Sequence, residues 1–194
     1  MKCKLSTYDF RIIDDKLYVL GKARITEMDF NEKINFRTVP KRKFKVLSNA
    51  AYFDISPDKK TIAVKNTSGH IAVYDYNSGE LLLKNTCTRR EGDQIHYINN
   101  HQIISTDWDS KLIMLDINTN EWKQLYDFGV DETQSRRKTV DSIFRVSQNE
   151  FLVVKNERYL YFIYVDENKF EIIYEYQFVK PYNPGSRHGI IMEC

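Results

Sequence analysis

Four histidines are the residues of this chain best suited to acid–base or metal chemistry. His96 and His101 lie five positions apart, a spacing without a standard metal geometry, and no acidic partner is fixed beside them. The chain also lacks a Gly-x-Ser-x-Gly element, a glycine-rich phosphate loop and a His-Glu-x-x-His element. We therefore predict no catalytic residue, no metal site and no cofactor, and we interpret the histidines as surface or packed side chains: His70, His96, His101 and His188.

An aspartate followed two positions later by asparagine recurs along the chain, and repeated carboxylates are one component of acid–base sites. The aspartates are Asp29, Asp75, Asp116 and Asp166, at intervals of 46, 41 and 50 residues. Each follows an apolar strand-like run, where an aspartate side chain accepts hydrogen bonds from the backbone of its own turn. We predict that these carboxylates shape turns in separate units and do not converge as an acid–base pair.

The segments around these aspartates predict four short strands in every unit. In the second unit the first strand reads Ala51–Ile55 and the next two Ile62–Asn66 and Ile71–Asp75, followed by a last strand that begins at Leu81. The second strands of units two and four both end in Val-Lys-Asn. Helical periodicity is scarce, and the 13 tyrosines and 11 phenylalanines favour strands. The sequence predicts an all-β protein.

Four antiparallel strands repeated every 40 to 50 residues are typical of a β-propeller blade. The run from Ile55 through Leu81 resembles a bacterial WD40/YVTN-type repeat, and Thr106–Asp116 is similar. The resemblance implies a small or partial propeller of about four blades of four antiparallel strands. We expect one domain over residues 1–194, with blades near 8–40, 50–86, 94–128 and 141–178 and a closing or extra strand within 179–194.

Basic clusters share the period of the repeat. They are centred on Arg42, Arg90, Arg137 and Arg187, at intervals of 48, 47 and 50 residues. We expect them in the connections from the last strand of one blade to the first strand of the next, which would place them on one face of a propeller and build a basic surface. The predicted partner-binding residues are Lys41, Arg42, Lys43, Arg89, Arg90, Arg136, Arg137 and Lys138.

Composition and charge limit the function classes. The 194 residues are 42% hydrophobic and 29% charged with a net charge of +2, which excludes a disordered chain and a bulk polycation. Three widely spaced cysteines favour reduced thiols. No apolar leader or membrane-length apolar run is present in the sequence, so we expect a cytoplasmic protein without membrane contact.

These features favour a non-catalytic interaction module or scaffold that binds a protein partner, with an acidic surface favoured, through the loop face of a propeller. One alternative is a ligand-sensing or enzymatic propeller with an axial site, which would require polar residues of several blades to converge. Another, less favoured, is a nucleic-acid-associated protein that uses the basic loops. The sequence leaves a closed ring and an open arc as alternatives, and the arc would permit self-association through its open blade edges.

Overall fold

The computed structural model describes residues 9–21, 23–29, 42–86, 94–107, 109–129, 140–156 and 158–178, and within these ranges every regular element is a strand. The sixteen strands form four separate four-stranded antiparallel sheets, each in sequential order. The predictions of an all-β chain and of a propeller with four blades of four antiparallel strands are confirmed.

Each sheet is one blade, and its strands follow one another along the chain. Blade 1 contains β1 (Asp9–Ile13), β2 (Lys16–Gly21), β3 (Arg24–Asp29) and β4 (Arg42–Lys45). Blade 2 contains β5 (Ala50–Ile55), β6 (Thr61–Asn66), β7 (His70–Asp75) and β8 (Leu81–Thr86). Blade 3 contains β9 (Ile95–Tyr97), β10 (Gln102–Thr106), β11 (Lys111–Asp116) and β12 (Glu121–Asp127). Blade 4 contains β13 (Val140–Arg145), β14 (Glu150–Lys155), β15 (Tyr159–Val165) and β16 (Phe170–Gln177).

Local turn chemistry produces these hairpins. The Asp75 Oδ1 atom accepts hydrogen bonds from the backbone N–H groups of Asn77 (2.9 Å) and Ser78 (2.7 Å). Asp116 and Asp166 accept the same pair of bonds from the residues two and three positions later. The predicted turn role of the aspartates is confirmed for these three, while the turn after Asp29 lies outside the described residues.

The blades pack through three clusters of buried side chains. One joins blades 1 and 2, for example Leu20 to Val64, and a second joins blades 2 and 3. The third joins blades 3 and 4, for example Ile104 to Val153. Residues of β10 are consequently buried on both faces of its sheet, whereas burial along β2 alternates. Among the described residues, no such cluster joins blade 4 to blade 1.

The shared Val-Lys-Asn tripeptide occupies strand positions that differ by one residue in blades 2 and 4. The predicted strand end at asparagine is confirmed for β6, whereas β14 ends at Lys155. Strand β6 begins at Thr61 and β14 at Glu150, so Asn66, not Lys65, corresponds to Lys155. Lys65 therefore reaches forward to blade 3, whereas Lys155 reaches back to donate to the Phe128 carbonyl at the end of blade 3. Alternation along a strand explains the reversal, because a shift of one residue moves a side chain to the other face.

The position of Arg42 and Lys43 also differs from the prediction. We expected both in a connection between blades, but their backbone belongs to β4, the fourth strand of blade 1, which pairs with β3. The first sheet extends to Lys45, beyond the sequence-based end of its last strand.

Candidate functional site

Charged side chains from the first strands of the blades converge at the centre of the arrangement. The centre of this group is Asp54 in β5, whose Oδ2 atom accepts a 2.8 Å hydrogen bond from the backbone N–H of Tyr97 in β9. The same oxygen accepts a 2.8 Å bond from Nη2 of Arg145 in β13, which also donates to the Tyr97 carbonyl. On the other side, Nε of Arg11 in β1 lies 3.9 Å from Asp54 Oδ1. One carboxylate thus contacts groups from all three other blades.

Arg11 makes a second ion pair within β1. Its Nη1 atom lies 2.7 Å from Oδ1 of Asp9, whose Oδ2 accepts a 3.3 Å hydrogen bond from the backbone N–H of Phe53. Burial raises the pKa of Asp9, and the nearby Arg11 charge opposes that rise. The Nη2 atom of Arg11 is buried and has no hydrogen-bond partner among the described residues. Leaving a buried donor unsatisfied costs on the order of 1–3 kcal/mol, so this position is suited to an added acceptor.

His96 packs beside the charged group in β9. Its Nε2 atom lies 3.1 Å from the Ile143 carbonyl, which assigns the proton to that nitrogen, and its ring lies 5.5 Å from the Phe151 ring. Burial lowers the pKa of His96 to about 4, although the Asp54 carboxylate opposes the shift. The imidazole is therefore neutral near pH 7 and bonds blade 3 to blade 4.

These groups line an open cleft of about 640 Å³ to which all four blades contribute. Arg11, Asp54, His96 and Arg145 are among its polar lining residues, and Phe10, Ile12 and Phe144 are among its apolar lining residues. Among the described residues, no group of three or more His, Cys, Asp or Glu side chains could hold a metal ion. The arrangement can bind a small polar group, because charged donors and acceptors surround an accessible space.

The outward face of blade 1, here called the blade 1 end face, is apolar. Phe10 is 58% exposed and Ile12 is 49% exposed, and both project away from the cluster shared with blade 2. Phe10 pairs across the strands with Val19, and Ile12 pairs with Leu17. The face consists of Phe10, Ile12, Leu17, Val19, Thr26 and Met28.

The outward face of blade 4, here called the blade 4 end face, is rich in aromatic side chains. One row crosses the sheet from Phe144 through Leu152 and Phe162 to Tyr174, as the strand pairing shows. Phe144 is 48% exposed and Tyr174 is 59% exposed. A second row runs from Val154, which is buried, through Leu160 to Tyr176. Packing between blades accounts for Tyr161 and Phe170, which belong to the cluster with blade 3, but not for Phe162, Tyr174 and Tyr176.

The predicted basic surface falls largely outside the described residues. The side chains of Arg42 and Lys43 are not described, although their backbone forms part of β4. Arg89 and Arg90 precede β9, and the cluster centred on Arg137 precedes β13. The positions beyond the described ranges are Lys41, Arg89, Arg90, Arg136, Arg137 and Lys138.

Sequence reasoning missed Arg11, Asp54 and Arg145 as a group. The available signal was a charged residue inside an otherwise apolar first strand, as in Ala-Tyr-Phe-Asp-Ile. Within the described ranges, no helix has the length and apolarity to cross a membrane.

Comparison with known proteins supports the architecture alone. No family model matches this sequence, and no curated protein matches it. Among solved structures, that of U3-55K shares 17% identity with a TM-score of 0.63, covering 90% of this chain and 53% of that chain. The RRP9 WD40 repeats share 16% identity with a TM-score of 0.64, covering 90% of this chain and 52% of that chain.

The WD40 domain of Toxoplasma gondii coronin shares 11% identity with a TM-score of 0.67, covering 90% of this chain and 46% of that one. The chain therefore spans about half the length of the solved structures it matches. The four blades, their sequential strand order and these similarities together show that the chain has a β-propeller fold of the WD40 type.

Proposed function

We propose that this protein is a non-catalytic interaction module that binds another protein molecule. The observation that carries the proposal is the pair of apolar end faces on blades 1 and 4. Exposed aromatic side chains such as Phe10 and Tyr174 lie in continuous apolar rows rather than singly. Soluble monomers rarely expose contiguous apolar patches larger than a few hundred Å², and larger patches are typical of interaction sites.

Fold and chemistry agree with a binding role. A blade buries both faces of its sheet when it has two neighbours, as β6 and β10 do in this chain. The end blades carry the same kind of apolar side chain at positions where a neighbouring blade would pack. The ionisable groups at the centre form bonds between blades, and neutral His96 is no general acid near pH 7.

The basic clusters remain part of this proposal as a contact for an acidic protein surface. Arg89 and Arg90 fall between β8 and β9, and Arg136, Arg137 and Lys138 fall between β12 and β13. Equivalent connections of successive blades share one face of a propeller, so their charges would add. Such a field would accelerate association and select an acidic partner more than it would raise affinity.

A second candidate is a small-ligand site in the central cleft. The buried and unpaired Arg11 Nη2 atom favours it, because a carboxylate or phosphate oxygen would satisfy that donor. An increase in the thermal midpoint of the wild-type protein with phosphate or a dicarboxylate, absent in Arg11→Met, would favour this function. Equal midpoints with and without these probes would exclude binding of these anions at the cleft.

Site-specific photocrosslinking tests the interaction role. A benzophenone amino acid would replace Phe10 on one end face or Tyr174 on the other, with Leu82 of β8 as a matched control. Leu82 is 54% exposed but lies on the outer strand of an interior blade. We expect protein crosslinks in cells from Phe10 and Tyr174 in excess of those from Leu82. Equal yields at the three positions would overturn the proposal.

A further inference from the structure

We propose that the occupant of each end face is a second copy of this chain, with the blade 4 end face of one copy packed on the blade 1 end face of the other. Two such contacts related by a two-fold axis would close a ring of eight blades. The inference rests on the proposed function, because it names the partner for the same two surfaces.

Equivalent positions of the second strands show which side of each blade packs on the preceding blade and which on the following blade. In blades 2, 3 and 4, the residue after the first of the strand packs on the preceding blade; these residues are Ile62, Ile103 and Phe151. The equivalent residue of blade 1 is Leu17, on the blade 1 end face. In the other direction, Tyr18 and Ile104 pack on the following blade, and their equivalent in blade 4 is Leu152.

The two end faces are therefore different and complementary in position. Blade 1 presents the side that receives a preceding blade, and blade 4 presents the side that receives a following blade. Each of the three contacts within the chain joins these two kinds of side. A contact from blade 4 to blade 1 of another copy repeats that arrangement, whereas two blade 1 end faces packed together would not.

The number of blades indicates how many copies would complete a ring. The four blades match 46–53% of the length of solved chains, and two of these are structures of WD40 repeats or of a WD40 domain. Propellers usually contain about four to eight blades, and two copies of this chain supply eight. A contact between two unlike surfaces forms a closed ring when the rotation that relates neighbouring copies, applied repeatedly, returns to the first copy.

The mass of the purified full chain in solution tests this inference first. Sedimentation equilibrium should give twice the 23.1 kDa chain mass at micromolar concentration. The double variant Phe10→Asp with Ile12→Asp should weaken dimerisation by about 100-fold or more, since charges would be buried at the centre of an apolar contact. Phe144→Asp with Tyr174→Asp should do the same, and the control Leu82→Asp should remain a dimer.

Mixing the two double variants is the decisive measurement. In the mixed dimer, the intact blade 4 end face of the first variant meets the intact blade 1 end face of the second. Half of the contact is restored, so a heterodimer should form although each variant alone is a monomer. Retention of the dimer by one of the two variants would instead show contact between like faces and would overturn the inference.

A monomeric wild-type chain would also overturn the inference, and it would leave the proposed function open to a separate test. Crosslinks from Phe10 and Tyr174 to a different protein would then support the interaction role without self-association. Circular dichroism of each variant would verify its strand content, so that a loss of dimer is not a loss of fold.

Discussion

Arg145 of blade 4 donates a 2.8 Å hydrogen bond to Asp54 of blade 2, across 91 positions of the sequence. The bond passes the inner end of blade 3, where Tyr97 supplies its backbone N–H to the same carboxylate oxygen. Blade 4 is thereby attached to two blades, one of which is not its neighbour. The charged side chains at the centre therefore help to set the spacing between blades.

We predict that Asp54→Asn destabilises the protein by about 1–3 kcal/mol. Removal of one partner from a buried ion pair usually costs more, but the Arg145 side chain is 28% exposed and water screens part of the loss. Urea unfolding monitored by tryptophan fluorescence would measure the change. The control Glu80→Gln removes an exposed carboxylate of the same blade and should shift stability by less than about 0.5 kcal/mol. An Asp54→Asn variant as stable as this control would contradict the structural role.

We predict that His96 makes the protein acid-sensitive between pH 6.5 and 4. Its pKa is lowered from 6.5 to about 4 by burial, so the unfolded chain binds a proton in this window and the folded protein does not. The contribution is fully present above pH 6.5 and decreases as the pH falls, to a loss of about 3 kcal/mol near pH 4.

The variant His96→Gln keeps a donor for the Ile143 carbonyl and removes the titrating group. Its free energy of unfolding should vary less steeply between pH 6.5 and 4 than that of the wild-type protein. Chemical denaturation at half-unit steps of pH would provide both curves. Parallel curves would show that other groups cause the acid sensitivity.

We predict that the buried Lys65 side chain stabilises the protein through its contacts with blade 3. Its side chain is fully buried, and Nζ donates to the Ser105 Oγ atom (2.7 Å) and to the Thr106 carbonyl (2.9 Å). Lys65→Ala should cost about 3 kcal/mol because it leaves a cavity and removes a donor from both acceptors. Lys65→Met fills the space and should recover part of that loss.

Thermal or urea unfolding would measure the Lys65 series. Lys84→Ala is the matched control, because Lys84 is exposed on the outer strand of the same blade. A loss below about 1 kcal/mol for Lys65→Ala would indicate that the interface between blades 2 and 3 closes around the smaller side chain.

We predict that charge reversal of the basic clusters weakens binding to acidic polymers. The triple variant Arg42→Glu, Arg90→Glu and Arg137→Glu would be compared with Lys60→Glu, Lys84→Glu and Lys123→Glu, which changes the net charge equally. Polyglutamate and a single-stranded oligonucleotide serve as probes, and fluorescence anisotropy at several salt concentrations measures affinity.

The arginine variant should lose at least about tenfold in affinity for polyglutamate relative to the lysine variant. Preferential loss of the oligonucleotide, with a steep salt dependence in the wild-type protein, would indicate a nucleic-acid role instead. Equal affinities of the two triple variants would show that the periodic arginines form no common surface.

The sequence alone determined the features that depend on neighbouring residues. Alternation of apolar side chains specifies strands, and an aspartate that bonds the next turn specifies where hairpins such as that after Asp75 begin. Four repetitions of that unit were enough to predict the blades. Local signals of this kind require no knowledge of which blade packs on which.

The direction of each side chain and the groups it contacts depend on how the blades pack. The connection between β5 and β6 is one residue longer than that between β13 and β14, so Lys65 and Lys155 project to opposite sides despite identical neighbours. The meeting of Asp54 with Arg145 depends on the angle between blades, which no local pattern encodes. The apolar pattern of Leu17 or Leu152 is likewise the same whether a neighbour covers it or not, because hydrophobicity specifies burial without specifying a partner.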